Sequence, residues 1–254
     1  MIKKKKKLKG VVFIQARMNS KRLPGKVLFK IYGKTILEHI IERLLQSKKI
    51  KDIYILTSKS KNDDPIVNLS IKKGFRYFRG SHNDVLSRFY EAAKLLDIDF
   101  VIRCNADNPF IDYSILDQMV EEFTIRNYDY LSTILKPTFP SGIHIEIFKK
   151  KILNLAHENC KSLKRREHVT PYIYHNKRLN VKNFKNKKNL SFHRWTMDYK
   201  EDYIFIKEIY KHLYKKNRYF NLNDIIYLIE QNPHLTKINY HIEKKQSFTG
   251  SSYK

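Results

Sequence analysis

The segment Gln15-Ala16-Arg17-Met18-Asn19-Ser20-Lys21-Arg22-Leu23-Pro24-Gly25-Lys26 places four cations within ten residues, with a hydroxyl and a Pro-Gly turn among them. Backbone amides, arginine forks and lysine point charges are what a triphosphate requires. A solvated basic loop can have the same composition. The context decides for phosphate: an apolar run, Val11–Ala16, comes directly before it and reads as a buried strand, so the segment falls where α/β sheets bind ligands. Two familiar phosphate fingerprints fail. Gly33-Lys34-Thr35 ends like a Walker A loop, but Leu28 stands where that motif needs glycine, and no GxGxxG is present.

A second cluster is Arg103-Cys104-Asn105-Ala106-Asp107-Asn108-Pro109. Taken alone, an Asp shortly before a proline is explained by turn chemistry. At the end of a strand and facing a phosphate loop, Asp107 is placed to hold Mg2+. A third cluster is Arg194-Trp195-Thr196-Met197-Asp198, read as a strand ending in a carboxylate that could be a second metal ligand. Glu201 and Asp202 read as first-turn acids that complement a helix dipole. Arg165-Arg166-Glu167-His168 and Pro140-Ser141-Gly142-Ile143-His144-Ile145-Glu146 mix charge with turn residues and name no chemistry by themselves. His144 and His168 read first as structural histidines.

The elements that must position these residues alternate in type. Strand-like runs are Val11–Ala16, Asp52–Thr57, Phe75–Phe78, Phe100–Arg103 and Tyr128–Ser132. Between them Thr35–Gln46 reads as a helix with a Thr35/Glu38 capping box, and Asp64-Pro65 opens a helix that Gly74 closes. Asn83 is expected to cap the next helix and Asp112 the one after. Ile143–Phe148 and Arg194–Asp198 look like further strands, and Glu201–Tyr214 and Asp224–Gln231 like helices. This order predicts an α/β fold: a mostly parallel central sheet with helices on both faces. A basic extension (1–9), one domain (10–235) and a tail trailing over the surface (236–254) complete the expected organisation.

The chain has 254 residues, 42% of them hydrophobic, enough for one well-buried core. No apolar run approaches the roughly 18–20 residues that span a bilayer, and no signal-peptide pattern follows the lysines at the N-terminus. Two cysteines without a CxxC argue against a disulfide scaffold and fit a reducing cytoplasm. The net charge of +26 invites a nucleic-acid reading, but the excess is spread: residues 1–148 hold 27 basic and 16 acidic residues, and 149–254 hold 24 and 9. Only Lys3–Lys7 form a block. Binding a nucleic acid is therefore not the expected function.

Several of these segments together carry a resemblance. Gln15–Leu28 looks like the opening signature of the acidic-sugar cytidylyltransferases, and the chain as a whole is similar to their spore-coat polysaccharide (SpsF-type) branch. The likeness runs from Val11 to about Tyr214 through Arg79-Gly80, Asp84–Phe89, Arg103–Asp112, Phe139–Phe148, Arg166–Tyr172 and Arg194–Asp198. Asn19 and Asn108 depart from the usual pattern. The resemblance implies a Rossmann-like nucleotide-diphospho-sugar transferase fold. It implies the reaction of CTP and a small sugar acceptor, an acidic one, to a CMP-sugar and pyrophosphate with Mg2+. Arg17, Ser20, Arg22 and Lys26 would hold the triphosphate, with Arg17, Lys26 and Asp107 catalytic. Arg79, Gly80 and Asp84 would lie near the cytosine. Asp107 and Asp198 would bind the metal. Gly142, Glu146, Arg166, Glu167 and His168 would face the acceptor. The resemblance admits a homodimer and implies neither a nucleic-acid nor a membrane partner. A glycosyltransferase of similar fold and a basic polyanion-binding protein are the alternatives. A DxD motif would favour the first, and none lies near the expected switch point; the second would bind with steep salt dependence.

Overall fold

The computed structural model describes residues 8–242. Lys3–Lys7 and the tail from 243 onward lie outside them. Nine strands and nine α-helices occur among the described residues. In chain order they are β1 (Gly10–Gln15), β2 (Lys30–Ile31), β3 (Lys34–Thr35), α1 (Ile36–Leu44), β4 (Ile53–Ser58), α2 (Asp64–Lys73), β5 (Tyr77–Gly80), α3 (Val85–Lys94), β6 (Phe100–Asn105), α4 (Tyr113–Arg126), β7 (Tyr130–Ser132), β8 (Glu146–Lys149), α5 (Lys150–Asn159), α6 (Leu163–Glu167), α7 (Pro171–Tyr174), β9 (Val181–Asn183), α8 (Lys200–Leu213) and α9 (Leu222–Gln231).

Seven strands form the main sheet in the order β5-β4-β1-β6-β8-β7-β9, and β8 alone runs against the others. β1 lies inside the sheet, and its Val11–Ile14 are apolar and buried, both faces being covered. Val12 and Ile14 pack on the side of α1, α4, α8 and α9, while Val11 and Phe13 pack on the side of α3 and α5. From β1 the chain moves outward to β4 and β5, then returns to the other side at β6. The reversal makes a crevice at the carboxyl ends of β1 and β6, where open α/β sheets take ligands.

Local chemistry sets most boundaries. Thr35 Oγ1 accepts the Glu38 amide at 3.1 Å, and the Glu38 carboxylate accepts the Thr35 amide at 2.7 Å, which starts α1. Gly74, at φ 68°, ends α2 in the left-handed conformation. The cap of α3 is Asp84 rather than Asn83: its Oδ1 accepts the Ser87 amide at 2.9 Å, from the third residue of the helix.

Two expectations fail for long-range reasons. Arg194–Asp198 is not a strand. It forms one bridge, Ser141 to Arg194, and then runs irregularly across the crevice, with the Met197 amide donating to the Asp107 carbonyl at 2.8 Å. The chain from 236 to 242 does not trail over the surface at its start. Asn239 is buried, and its Nδ2 donates to the Arg194 carbonyl at 3.0 Å and to Asp202 Oδ1 at 2.9 Å. Cys104 and Cys160 are both buried and unbonded to each other. No helix among the described residues is long and apolar enough to cross a membrane.

Candidate active site

The loop after β1 is folded tightly on itself. The amides of Ser20 and Gly25 both donate to the Met18 carbonyl at 2.9 Å, and Gly25 adopts φ 69° before a short 3-10 turn, Lys26–Leu28. Buried Asp63 anchors the loop by accepting the Met18 amide at 2.7 Å. Arg17 is exposed and Ser20 half-buried, both on the open side, whereas Lys26 begins the turn and points into the crevice, 7% exposed.

At that point three segments meet. Lys26 Nζ donates to Asp107 Oδ2 at 2.7 Å, to Asp198 Oδ1 at 2.9 Å and to the Met197 carbonyl at 2.6 Å. Arg22 Nη2 lies 2.7 Å from the same Asp198 oxygen, and its guanidinium stands 4.9 Å from the centre of the Tyr199 ring. Burial pushes the Asp198 carboxyl up, but Lys26 and Arg22 outweigh it and hold the group at about 2. Burial likewise opposes the charge on Lys26, and the two carboxylates more than restore it, so its pKa is raised.

Asp202 holds this arrangement from behind and is itself fully buried. It receives Arg194 as a fork at 2.8 and 2.9 Å. It also accepts the amides of Asp198 and Tyr199 at 2.9 and 3.0 Å. The reading of Asp202 as a helix-dipole acid is thus too small. It fixes the backbone that carries Asp198. Gly142, at φ 118°, lets the other side of the same span close in. A Cβ there would lie 2.6 Å from the Trp195 carbonyl carbon and 2.7 Å from the Thr196 nitrogen.

A second buried group lies beside the first. Arg103 on β6 faces Glu146 on β8 and contacts it directly, while its Nη2 donates to Gln15 Oε1 at 3.1 Å. Glu146 is 2% exposed, and its Oε1 accepts the hydroxyls of Tyr130 at 2.6 Å and Thr170 at 2.5 Å. Its carboxylate is therefore spent inside the protein, on the two hydroxyls and on Arg103, whose side chain is 12% exposed. His144 lies in the field of Asp107, Glu146, Arg103 and Asp198. Burial is the main influence and lowers its pKa, so the ring is neutral at neutral pH. Half-buried His168 is also lowered, first by burial and then by Arg103 and Arg17 against Glu167. Glu167 Oε1 is 3.9 Å from Arg17 Nη1.

The base-side residues are tied to structure. Arg79 donates to the carbonyls of Ser58 and Ser60 at 3.0 and 2.9 Å and pairs with Asp64 at 2.7 Å. Gly80 is buried under Arg88, whose Cγ would lie 2.6 Å from an added Cβ. Asp84 caps α3 and pairs with Arg166 Nε at 2.7 Å, while Arg166 Nη1 donates to the carbonyls of His157 and Cys160 at 2.8 and 2.9 Å. One residue expected at the base is thus the partner of one expected at the acceptor.

Sequence reasoning missed Asp202, Arg103 and His144 as parts of the site. Arg103 and His144 stood inside quoted motifs, and Asp202 lay four residues after Asp198. That spacing was the available signal.

The cytidylyltransferase family model matches residues 11–238. An uncharacterized protein of Methanocaldococcus jannaschii is 36% identical over 244 residues, covering 94% of this chain and 97% of its own. The spore coat polysaccharide biosynthesis protein SpsF of Bacillus subtilis is 33% identical over 228 residues, covering 87% of this chain and 93% of its own. Among solved structures, a cytidylyltransferase from Leptospira borgpetersenii superposes with a TM-score of 0.87 at 33% identity, over 94% of this chain and 100% of that one. The crevice at the switch point, with its basic loop and carboxylate pair, therefore belongs to a chain of the cytidylyltransferase family, SpsF type, and the protein is a nucleotidyltransferase.

Proposed function

We propose that the protein transfers the cytidylyl group of CTP to a hydroxyl of an acidic sugar, giving a CMP-sugar and pyrophosphate for surface polysaccharide or glycan synthesis. The observation that carries the reading is the meeting of Lys26, Asp107 and Asp198 at the head of a basic loop. A cation already sits between the two carboxylates there, in the form of the lysine ammonium. Mg2+ needs only one or two protein carboxylates when phosphates complete its shell, so the pair suits it. Among the described residues no group of three or more His, Cys, Asp or Glu forms a closed metal cage. Bound to Asp107 and Asp198, Mg2+ would neutralise charge on the phosphate oxygens.

The remaining roles belong to the chain itself. Arg17, Ser20, Arg22 and Lys26 bind the triphosphate and stabilise the charge that grows on the departing pyrophosphate. Arg79, Gly80 and Asp84 shape the side taken by the cytosine. On the acceptor side, Arg17 and Arg103 stand near Glu167 and His168, and the two guanidinium groups are the ones that suit a sugar carboxylate. Glu146 acts there through Arg103, Arg166 through Asp84, and Gly142 by admitting the Trp195–Thr196 backbone. The sugar oxygen bonds to the α-phosphorus as the bond from that phosphorus to the bridging oxygen breaks. The hydroxyl proton passes to solvent, and pyrophosphate leaves with the bonding pair.

The test is a pyrophosphate-release screen of the four nucleoside triphosphates, each with Mg2+ and a panel of acidic sugars. Release with CTP and an acidic sugar is expected. Release with another triphosphate only would reject the cytidylyl reading.

A further inference from the structure

An ammonium group has three N–H donors. In Lys26 all three are engaged: by Asp107, by Asp198 and by the Met197 carbonyl, at 2.7, 2.9 and 2.6 Å. None is left for a phosphate. The residue expected to hold the triphosphate is therefore committed, in the free protein, to the two carboxylates expected to hold the metal. Those carboxylates are also already matched by positive charge. Arg22 lies 2.7 Å from Asp198 Oδ1, and Arg194 lies 3.5 Å from Asp198 Oδ2. Arg194 is neutralised by its fork on Asp202, so Asp107 and Asp198 are balanced by the two remaining cations, Lys26 and Arg22.

A divalent cation arriving alone would find the pair already neutralised, with Lys26 and Arg22 at contact distance, where partial burial weakens screening. A triphosphate reverses the balance, because it brings several negative charges to the loop. The lysine stem is flexible and follows Gly25, so the ammonium can swing toward the loop without moving β1.

We propose that Lys26 is the resident counter-ion of the Asp107–Asp198 pair, and that a divalent cation takes its place only as a triphosphate draws it away. The proposal rests on the reading of that pair as the metal site of nucleotidyl transfer. Triphosphate and metal then raise each other's affinity reciprocally, and the lysine is the element through which they are coupled. In the free protein it is an internal competitor of the metal. With nucleotide bound it is a phosphate ligand.

The experiment measures Mn2+ binding to the nucleotide-free full chain, from the paramagnetic resonance signal of free Mn2+. Wild type is compared with Lys26→Met and Lys26→Gln, with circular dichroism to establish folding. The glutamine variant keeps a polar group in the crevice if the methionine variant fails to fold. Each folded variant should bind Mn2+ on the order of tenfold more tightly than wild type, the size of one charge-assisted contact. Adding Asp107→Asn should remove the gain. Equal affinity in wild type and variants, or a gain that survives Asp107→Asn, overturns the proposal. Pyrophosphate release by wild type separates the two readings. Tight Mn2+ binding by the variants without CTP-dependent release in wild type supports the lysine exchange and rejects cytidylyl transfer. Equal Mn2+ affinities beside normal release reject the exchange alone.

Discussion

Arg194 meets Asp202 as a planar fork on a carboxylate, Nε to Oδ1 at 2.8 Å and Nη2 to Oδ2 at 2.9 Å, with Asp202 fully buried. The same carboxylate holds the amides of Asp198 and Tyr199. Removing it leaves a buried guanidinium without its charge and frees the span that carries Asp198. Asp202→Ala should destabilise the protein by about 3–5 kcal/mol in urea denaturation. Asp202→Asn, which can still accept one amide, should lose less. A change below about 1 kcal/mol for Asp202→Ala would show that the network is not what fixes the span.

Asp107 is different because it is partly open to solvent and, among the described residues, its side chain bonds to Lys26 alone. Asp107→Ala should leave the melting temperature close to that of wild type. Pyrophosphate release should fall by on the order of 10²–10³, the scale of one lost transition-state contact. Release at the wild-type rate from the folded variant would remove Asp107 from the metal site.

Asp198 makes stability depend on acid. Its carboxyl sits at about 2 in the folded protein against an ordinary value of 3.8, because Lys26 and Arg22 overcome the upward push of burial. Between those values the unfolded chain binds more protons than the folded one. The stabilisation is complete above about pH 4 and is lost as pH falls toward 2. Wild type should lose about 2 kcal/mol more than Asp198→Asn over that range, measured by denaturant titration at each pH. Parallel curves for the two proteins would contradict the assignment.

Gly142 should tolerate no side chain. Its φ of 118° disfavours an L-residue, and a Cβ would press on the Trp195–Thr196 backbone. Gly142→Ala should cost about 2 kcal/mol or more and lower pyrophosphate release along with it. A neutral effect on thermal melting would mean that the span can move aside.

The parts of this molecule legible in its sequence are those set by neighbouring residues. The apolar run of β1, the Thr35–Glu38 box, the Pro65 start and the Gly74 stop each depend on positions a few residues apart. The basic loop after β1 was legible for the same reason, since its cations lie together after a strand. The parts that were hidden depend on distant partners. Arg194–Asp198 looked like a strand because it is short and its apolar residues, Trp195 and Met197, alternate with polar ones, yet its backbone is tied to Ser141 and Asp107 instead of a sheet neighbour. Asp84 and Arg166 could not be recognised as partners 82 positions apart. The reversed direction of β8 leaves no mark in its own alternation. Asp107 was readable as a carboxylate just past a strand end, Asp198 looked like one on a strand that the structure lacks, and their sharing of one lysine was not readable at all.

The contact of Lys26 with Asp198 spans 172 positions. During synthesis the strands β1, β4, β5 and β6 leave the ribosome and can pair long before Asp198 exists. For that interval Lys26 and Asp107 form a crevice with half of its carboxylate charge. Long-separated contacts of this kind form late and slowly. The crevice can therefore be complete only when the last quarter of the chain, which also carries α8 and α9, has closed over the sheet.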